Sequence, residues 1–215
     1  MDQFLFHLIN EQWTSPALDL FMAAISDVEI WKPFLAVLGL CVVIFMGFKG
    51  RAFIVCLVLA LTIADYFLVS TLKTAIDRQR PKQVQKVRMV QLERTAPRFL
   101  TLFKKPAIRY SDESDRTKSG PSFPSGHVTD NVIIGTICVL FFRRWGWLYF
   151  TLASAVAWSR IYLGAHWPSD VIGSTFLAVG EALLVMALAD LAWKRLAPRW
   201  APQIFERHPR LIDKS

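Results

Sequence analysis

The chain has 215 residues, 53% of them hydrophobic, with eight Trp and a formal charge of +8, and its mean hydropathy is +0.35. That balance argues against an ordinary soluble domain, and several apolar runs reach the ~20 residues that cross a hydrocarbon core. An integral membrane protein is expected, and its positive charge points to anionic lipid or a phosphorylated substrate rather than to nucleic acid.

In chain order, 1–25 is apolar but interrupted by Asn10-Glu11-Gln12 and Pro16. Neither half reaches spanning length. Phe4, Leu5, Leu8 and Ile9 recur at helical spacing, so 1–28 is expected to form interfacial or re-entrant helices, with a tilted span as the alternative. Asp2 and the lack of a basic start before an apolar core argue against a cleaved signal peptide. Two spans are expected next, 31–48 and 52–72, joined by a basic turn at Lys49-Gly50-Arg51. Asp65 lies inside the second, and an acid at that depth is expected to face the bundle and hydrogen-bond a neighbour. Cys41, Cys56 and Cys138 sit in apolar runs and read as small buried hydrophobes.

From 73 to 123 the aliphatic residues give way to Lys, Arg, Gln and Pro, with an apolar island at Phe99, Leu100, Leu102 and Phe103. A long polar loop is expected, containing a short amphipathic helix, and loops of that length usually carry function. Three further spans follow, at 128–142, 145–163 and 171–193. Alternate threading puts Lys49/Arg51, Arg143/Arg144 and Lys194/Arg195 on one side, the cytoplasmic one by the positive-inside tendency. The polar loop and the 160–170 turn then share the opposite, extracytoplasmic side. The domain plan is thus front helices over 1–28, a membrane domain over 29–197 and a solvated basic tail over 198–215. The fold class is all-α, a helical bundle with five or six spanning helices.

Three stretches meet on the extracytoplasmic side. Lys73-Thr74-Ala75-Ile76-Asp77-Arg78-Gln79-Arg80-Pro81 ends a span, and residues seven apart on a helix lie near one face, so Lys73 and Arg80 are expected to reach one phosphate. Ser122-Phe123-Pro124-Ser125-Gly126-His127 precedes a span. There Ser125 is expected to cap the helix, Gly126 allows close backbone approach, and the free N–H groups of the helix start suit an anion. The third stretch, Ser159 to Asp170, supplies Arg160, whose guanidinium fits phosphate, His166, and Asp170 in the first turn of the next helix, where a carboxylate can hold the imidazole. Each alone is also what a plain helix end provides. Their joint occurrence indicates a phosphate site.

These pieces, Lys-x6-Arg-Pro, Pro-Ser-Gly-His and Ser-Arg-x5-His-x3-Asp, resemble the three-part signature of the type 2 phosphatidic acid phosphatase (PAP2) family, whose relatives include glucose-6-phosphatase and vanadium haloperoxidases. The resemblance covers 73–170 by motif and about 31–193 by architecture. Many members have six spans, and the front of this chain departs from that pattern. The resemblance implies His166 as nucleophile, Asp170 orienting it, and His127 as general acid and then base. Lys73, Arg80, Ser125, Gly126 and Arg160 would bind the phosphate oxygens. No metal or other cofactor is expected, because the cations supply the positive charge. The expected substrate is a lipid phosphate, undecaprenyl diphosphate first, with lipid A, phosphatidylglycerophosphate and phosphatidic acid as alternatives. A lipid phosphotransferase and a catalytically silent scaffold are the competing functions.

Overall fold

The structure is a computed structural model describing residues 1–117 and 119–212. Short helices α1 (Asp2–His7), running on as a π-helical turn over Leu8–Gln12, and α2 (Pro16–Ser26) lead into α3 (Val28–Phe45) and α4 (Gly47–Ile63). The helical path continues through a π-helical segment (Ala64–Val69) into α5 (Ser70–Ile76). The polar loop holds α6 (Pro81–Val84), β1 (Arg88–Gln91), a 3₁₀ segment (Arg98–Phe103), β2 (Ala107–Tyr110) and α7 (Glu113–Thr117). Then come α8 (Gly126–Phe142), α9 (Leu148–Tyr162), α10 (Pro168–Trp200) and α11 (Pro202–Arg207).

Among the described residues, three segments, Val28–Phe45, Gly47–Val84 and Pro168–Trp200, are long and apolar enough by themselves to cross a membrane. Helices α8 and α9, with 17 and 15 residues, are shorter. Helix α8 lies inside the bundle, packing against α10, α9 and α4, whereas α9 leaves Leu148, Leu152 and Trp158 exposed. Val128, Ile133, Ile137 and Phe141 of α8 are buried, whereas α3 leaves most of its apolar side chains outward, as a helix facing lipid would. Cys41 belongs to that outward face, which corrects the expectation that all three cysteines are buried; Cys56 is buried and Cys138 is half-buried.

The front helices α1 and α2, of 6 and 11 residues, are each shorter than a membrane-crossing helix. The same Asn10 that interrupts the apolar pattern is fully buried, its amide donating to the carbonyls of Arg88 (2.9 Å) and Tyr162 (2.7 Å). Asp19, also buried, accepts from Arg88 Nη2 at 2.8 and 2.7 Å and from the Tyr162 hydroxyl at 2.6 Å. One polar knot therefore fastens both front helices and β1 to the end of α9. Gly164, at φ +71°, lies against β1, where an added Cβ would come within 2.1 Å of Val87 Cγ1; only glycine permits that approach.

Other expectations are corrected. The turn after α3 falls at Met46–Gly47, so Lys49 and Arg51 lie in the first turns of α4 instead of forming the turn. Lys49 still stands over the Phe142 ring, at the end of the bundle where Arg143 and Arg144 follow. The polar loop carries a β-ribbon beside its short helices: β1 and β2 pair antiparallel, Arg88 opposite Tyr110 and Gln91 opposite Ala107. Asp65 is exposed on the π-helical segment, within electrostatic reach of Lys73 and Asp130, and does not turn into the core. The described part of the tail leaves Arg199, Arg207 and Arg210 exposed and docks through His208. His208 stacks on Phe48 at 4.2 Å and its carbonyl accepts from Trp193 Nε1 at 2.9 Å; residues 213–215 lie outside the described residues.

The buried knot makes a stability prediction. Removing one member of a buried ion pair costs about 3–5 kcal/mol, because the other charge stays buried alone. Arg88→Met is expected to lower the thermal midpoint in detergent markedly, and Asp19→Leu/Arg88→Met to recover most of the loss. Equal midpoints for Arg88→Met and the parent would refute the knot's structural role.

Candidate active site

The site assembles where four chain segments end on one side of the bundle. Helix α5 stops at Ile76 because Asp77 adopts a left-handed conformation, φ 42°. The expectation that Lys73 and Arg80 share one continuous helix face is therefore corrected. Lys73 lies in the last turn of α5, whereas Arg80 sits beyond the break in extended backbone and caps α6. The break turns Arg80 inward. Its Nε donates to the Gly120 carbonyl at 2.9 Å and Nη1 to that of Ala165 at 3.3 Å.

Helix α8 begins at Gly126, placing His127 in its first turn. The Ser125 side chain does not cap it. Its backbone N–H donates to Ser174 of α10 at 2.8 Å, while its hydroxyl is buried and, among the described residues, has no hydrogen-bond partner. A Cβ built on Gly126 would meet nothing within 4 Å, so the space before the helix start is open. An orphaned buried hydroxyl beside free helix-start N–H groups suits an anion that accepts from both.

Arg160 closes α9, and its Nη1 donates to the Ser26 hydroxyl at the end of α2. Its Nε is buried without a hydrogen-bond partner among the described residues. The chain then turns, with the Ala165 and His166 N–H groups donating to the Arg160 carbonyl, and Pro168 starts α10. His166 is 3% exposed.

Asp170 organises this end of the bundle. Its Oδ2 accepts from Trp167 N at 2.9 Å, capping α10, and from the Ser122 hydroxyl at 2.5 Å; its Oδ1 accepts from Arg78 Nη1 at 2.7 Å. His166 Nδ1 lies 3.9 Å from Asp170 Oδ2 and 3.5 Å from Ser122 Oγ. The expected direct carboxylate–imidazole contact is thus replaced by a relay in which Ser122 stands between them. Nδ1 faces that relay, leaving Nε2 as the ring nitrogen available for chemistry.

Sequence reasoning missed three of these residues. Arg78, inside the first motif but outside its fixed letters, joins Asp170 to Asp2 of α1 at 2.6 Å, and Asp2 also accepts from Ser169. Ser122 precedes the second motif by two residues. Ser26 belongs to the front helices, and nothing in its neighbourhood signals a site.

The charges confirm the convergence. Lys73, Arg80 and Arg160 all act on the imidazoles of both His127 and His166, so these five side chains lie within electrostatic reach of one another. Burial, then Arg160 and Arg80, hold the His166 imidazole well below its usual pKa of 6.5. That shift favours the neutral form of the ring, with a free lone pair on Nε2.

The match to the PAP2 superfamily model spans residues 52–194. The chain belongs to that superfamily. Among relatives, it is 45% identical over 64 residues to the bacitracin transport permease protein of Bacillus licheniformis, covering 30% of this chain and 32% of that one. It is 34% identical over 70 residues to the undecaprenyl-diphosphatase of Bacillus subtilis, covering 33% and 36%. A longer match, 27% identical over 173 residues, joins it to the lipid A 4'-phosphatase of Bacteroides thetaiotaomicron, covering 76% of this chain and 66% of that protein. The strongest curated matches therefore span only about a third of those relatives' length. The crystal structure of Aquifex aeolicus LpxE superposes with a TM-score of 0.59 at 23% identity, over 86% of this chain and 94% of that one. It shares the fold.

Histidine-selective NMR in micelles tests the electrostatics. The His166 resonance, assigned by its loss in His166→Gln, is expected to titrate well below pH 6.5, so the ring is still neutral at pH 6. A midpoint at or above 6.5 would contradict the site's charge balance.

Proposed function

We propose that the chain is a membrane-embedded lipid phosphatase that removes the terminal phosphate of a lipid phosphate or diphosphate through a phosphohistidine, with the site on the extracytoplasmic face of a bacterial cytoplasmic membrane. One observation carries this reading: two imidazoles from different helix ends share one ring of three cations beside an unpartnered serine hydroxyl.

The chemistry follows from that arrangement. The phosphoryl oxygens seat against Lys73, Arg80 and Arg160, with the Ser125 hydroxyl and the Gly126 N–H donating to them. Charge on a transferring phosphoryl group collects on those oxygens, so fixed cations stabilise the transition state more than the ground state. His166 Nε2 attacks phosphorus, and the bond to the leaving oxygen breaks. The bond pair stays on that oxygen, which takes a proton from His127; burial and the same cations push the pKa of that imidazole down to about 4, so the proton is taken up with the substrate, whose phosphate charge offsets the cations around the ring. His127, now neutral, accepts a proton from water as the water oxygen attacks phosphorus. The P–N bond breaks, its pair returns to His166, and inorganic phosphate leaves. The relay through Ser122 to Asp170 keeps the Nδ1 side of the ring engaged and steadies positive charge on the ring.

The substrate class follows from location and likeness. The site lies at the end of a bundle whose outer faces are apolar, so a lipid can keep its tail in the bilayer while its headgroup enters. The similarity to an undecaprenyl-diphosphatase supports an isoprenoid diphosphate as first choice. A lipid A phosphate is the alternative that the longer match favours.

His166→Ala is expected to abolish both turnover and the acid-labile phosphoenzyme, measured by phosphate release and by quenched labelling with a radioactive lipid phosphate. His127→Ala should retain phosphoenzyme formation when the leaving group is good and lose its hydrolysis. Full turnover in His166→Ala would end this reading.

Arg78 is a positioning residue here, since it touches Asp170 and not the phosphate. Arg78→Lys cannot bridge Asp2, Ser169 and Asp170 together. It is expected to lower kcat about tenfold, ~1.4 kcal/mol, with KM changed less than twofold. A rise in KM with kcat intact would instead place Arg78 in substrate binding.

A further inference from the structure

The pocket containing His127 and Arg160 does not end at them. It is a cavity of about 280 Å³, near the lower end, ~300 Å³, of pockets that hold whole small molecules and larger than a phosphate group needs. Its lining changes character. Beside His127, Arg160 and Ser26 it is polar and charged, whereas Leu163, Val90, Leu92 and Val28 supply an apolar wall. Val90 is buried and Val28 is 46% exposed, so Val28 marks the rim. Val28 is also the first residue of α3, a segment apolar enough to cross the membrane, and the cavity therefore opens where that segment enters the bilayer.

The rim carries a second mark of membrane level. Asp27, which caps α3, accepts from Arg98 Nη2 at 2.5 Å, and both residues line the cavity. Arg98 opens the 3₁₀ segment, whose Phe99, Leu100 and Phe103 are exposed, Phe103 by 83%. An apolar turn pinned by an ion pair to the start of a spanning helix, with Lys104 and Lys105 immediately after it, suits the boundary between anionic headgroups and hydrocarbon.

We propose that this cavity is the portal for the lipid substrate's hydrocarbon chain. The phosphate or diphosphate group seats at Arg160 and His127, the chain carbons that follow it lie against Leu163, Val90 and Leu92, and the chain passes Val28 into the bilayer beside α3, with the Asp27–Arg98 pair at the edge of the opening. The proposal rests on the phosphatase reading and adds to it the path and the residues that select for a chain. A lipid with a long unbranched or isoprenoid chain next to its phosphate fits this path, and one with a bulky polar group at that position does not.

The test is a comparison of two substrates. Val28→Trp narrows the rim at an exposed position, where folding tolerates bulk. It is expected to lower kcat/KM at least tenfold for a long-chain isoprenyl diphosphate in mixed micelles, and less than twofold for a short water-soluble phosphate ester. Leu38→Trp, on the exposed face of α3 away from the cavity, should change neither. Equal losses on both substrates with Val28→Trp, or no loss on either, would overturn the portal. A lipid phosphate with a photoreactive group on its first chain carbons gives a readout independent of turnover. Labelling at positions 28 and 90–92 that Val28→Trp suppresses supports the portal, and labelling spread along the outer faces of α3 and α10 overturns it. If the unaltered protein releases phosphate from neither substrate, the phosphatase reading fails, and the labelling pattern still decides the portal.

Discussion

A fully buried carboxylate cannot remain charged without partners, and the Asp170 site is built around meeting that requirement. The N–H of Trp167, the hydroxyl of Ser122 and the guanidinium of Arg78 each supply a donor. The first starts α10, the second anchors the loop before α8, and the third fixes the backbone after the break in α5. A single anion thus sets three helix termini in register, and the phosphate ligands hang from those termini. The cations of Lys73, Arg80 and Arg160 repel one another, so a frame independent of the ligand is needed to hold them together. Asp170 and its partners form much of that frame.

The frame has a second storey. Asp19, Arg88, Tyr162 and Asn10 tie the front helices and the β-ribbon to the end of α9, where Arg160 begins the turn to His166. Ser26, at the end of α2, then touches Arg160 directly. The front of the chain therefore forms a wall beside the site.

The motif letters, their placement at helix ends and the shared side of the bundle were legible in the sequence, because each depends on local chemistry: a proline after a basic residue, a glycine before a histidine, an acid in a first helical turn. What was not legible depends on partners far away in the chain. Asn10 and Asp19 look like interruptions of an apolar run because periodicity cannot show that their partners lie 78 and 69 residues on. Ser122 and Arg78 carry no pattern of their own, and their roles follow from where Asp170 sits. Asp65 misled in the opposite sense: depth in an apolar run suggested burial, but the π-helical segment turns its side chain outward. The tail read as solvated because its charge is evident, whereas the stacking of His208 on Phe48 depends on how far α10 extends.

The Asp19–Arg88 pair also bears on how such a chain can diversify. Each of these charges is stranded in the interior without the other, so the front helices and the polar loop form a matched set. Swapping one between related proteins while keeping the other would leave a bare ion under the site. Phe99, Leu100 and Phe103 of the 3₁₀ turn, by contrast, are exposed and carry no such pairing constraint.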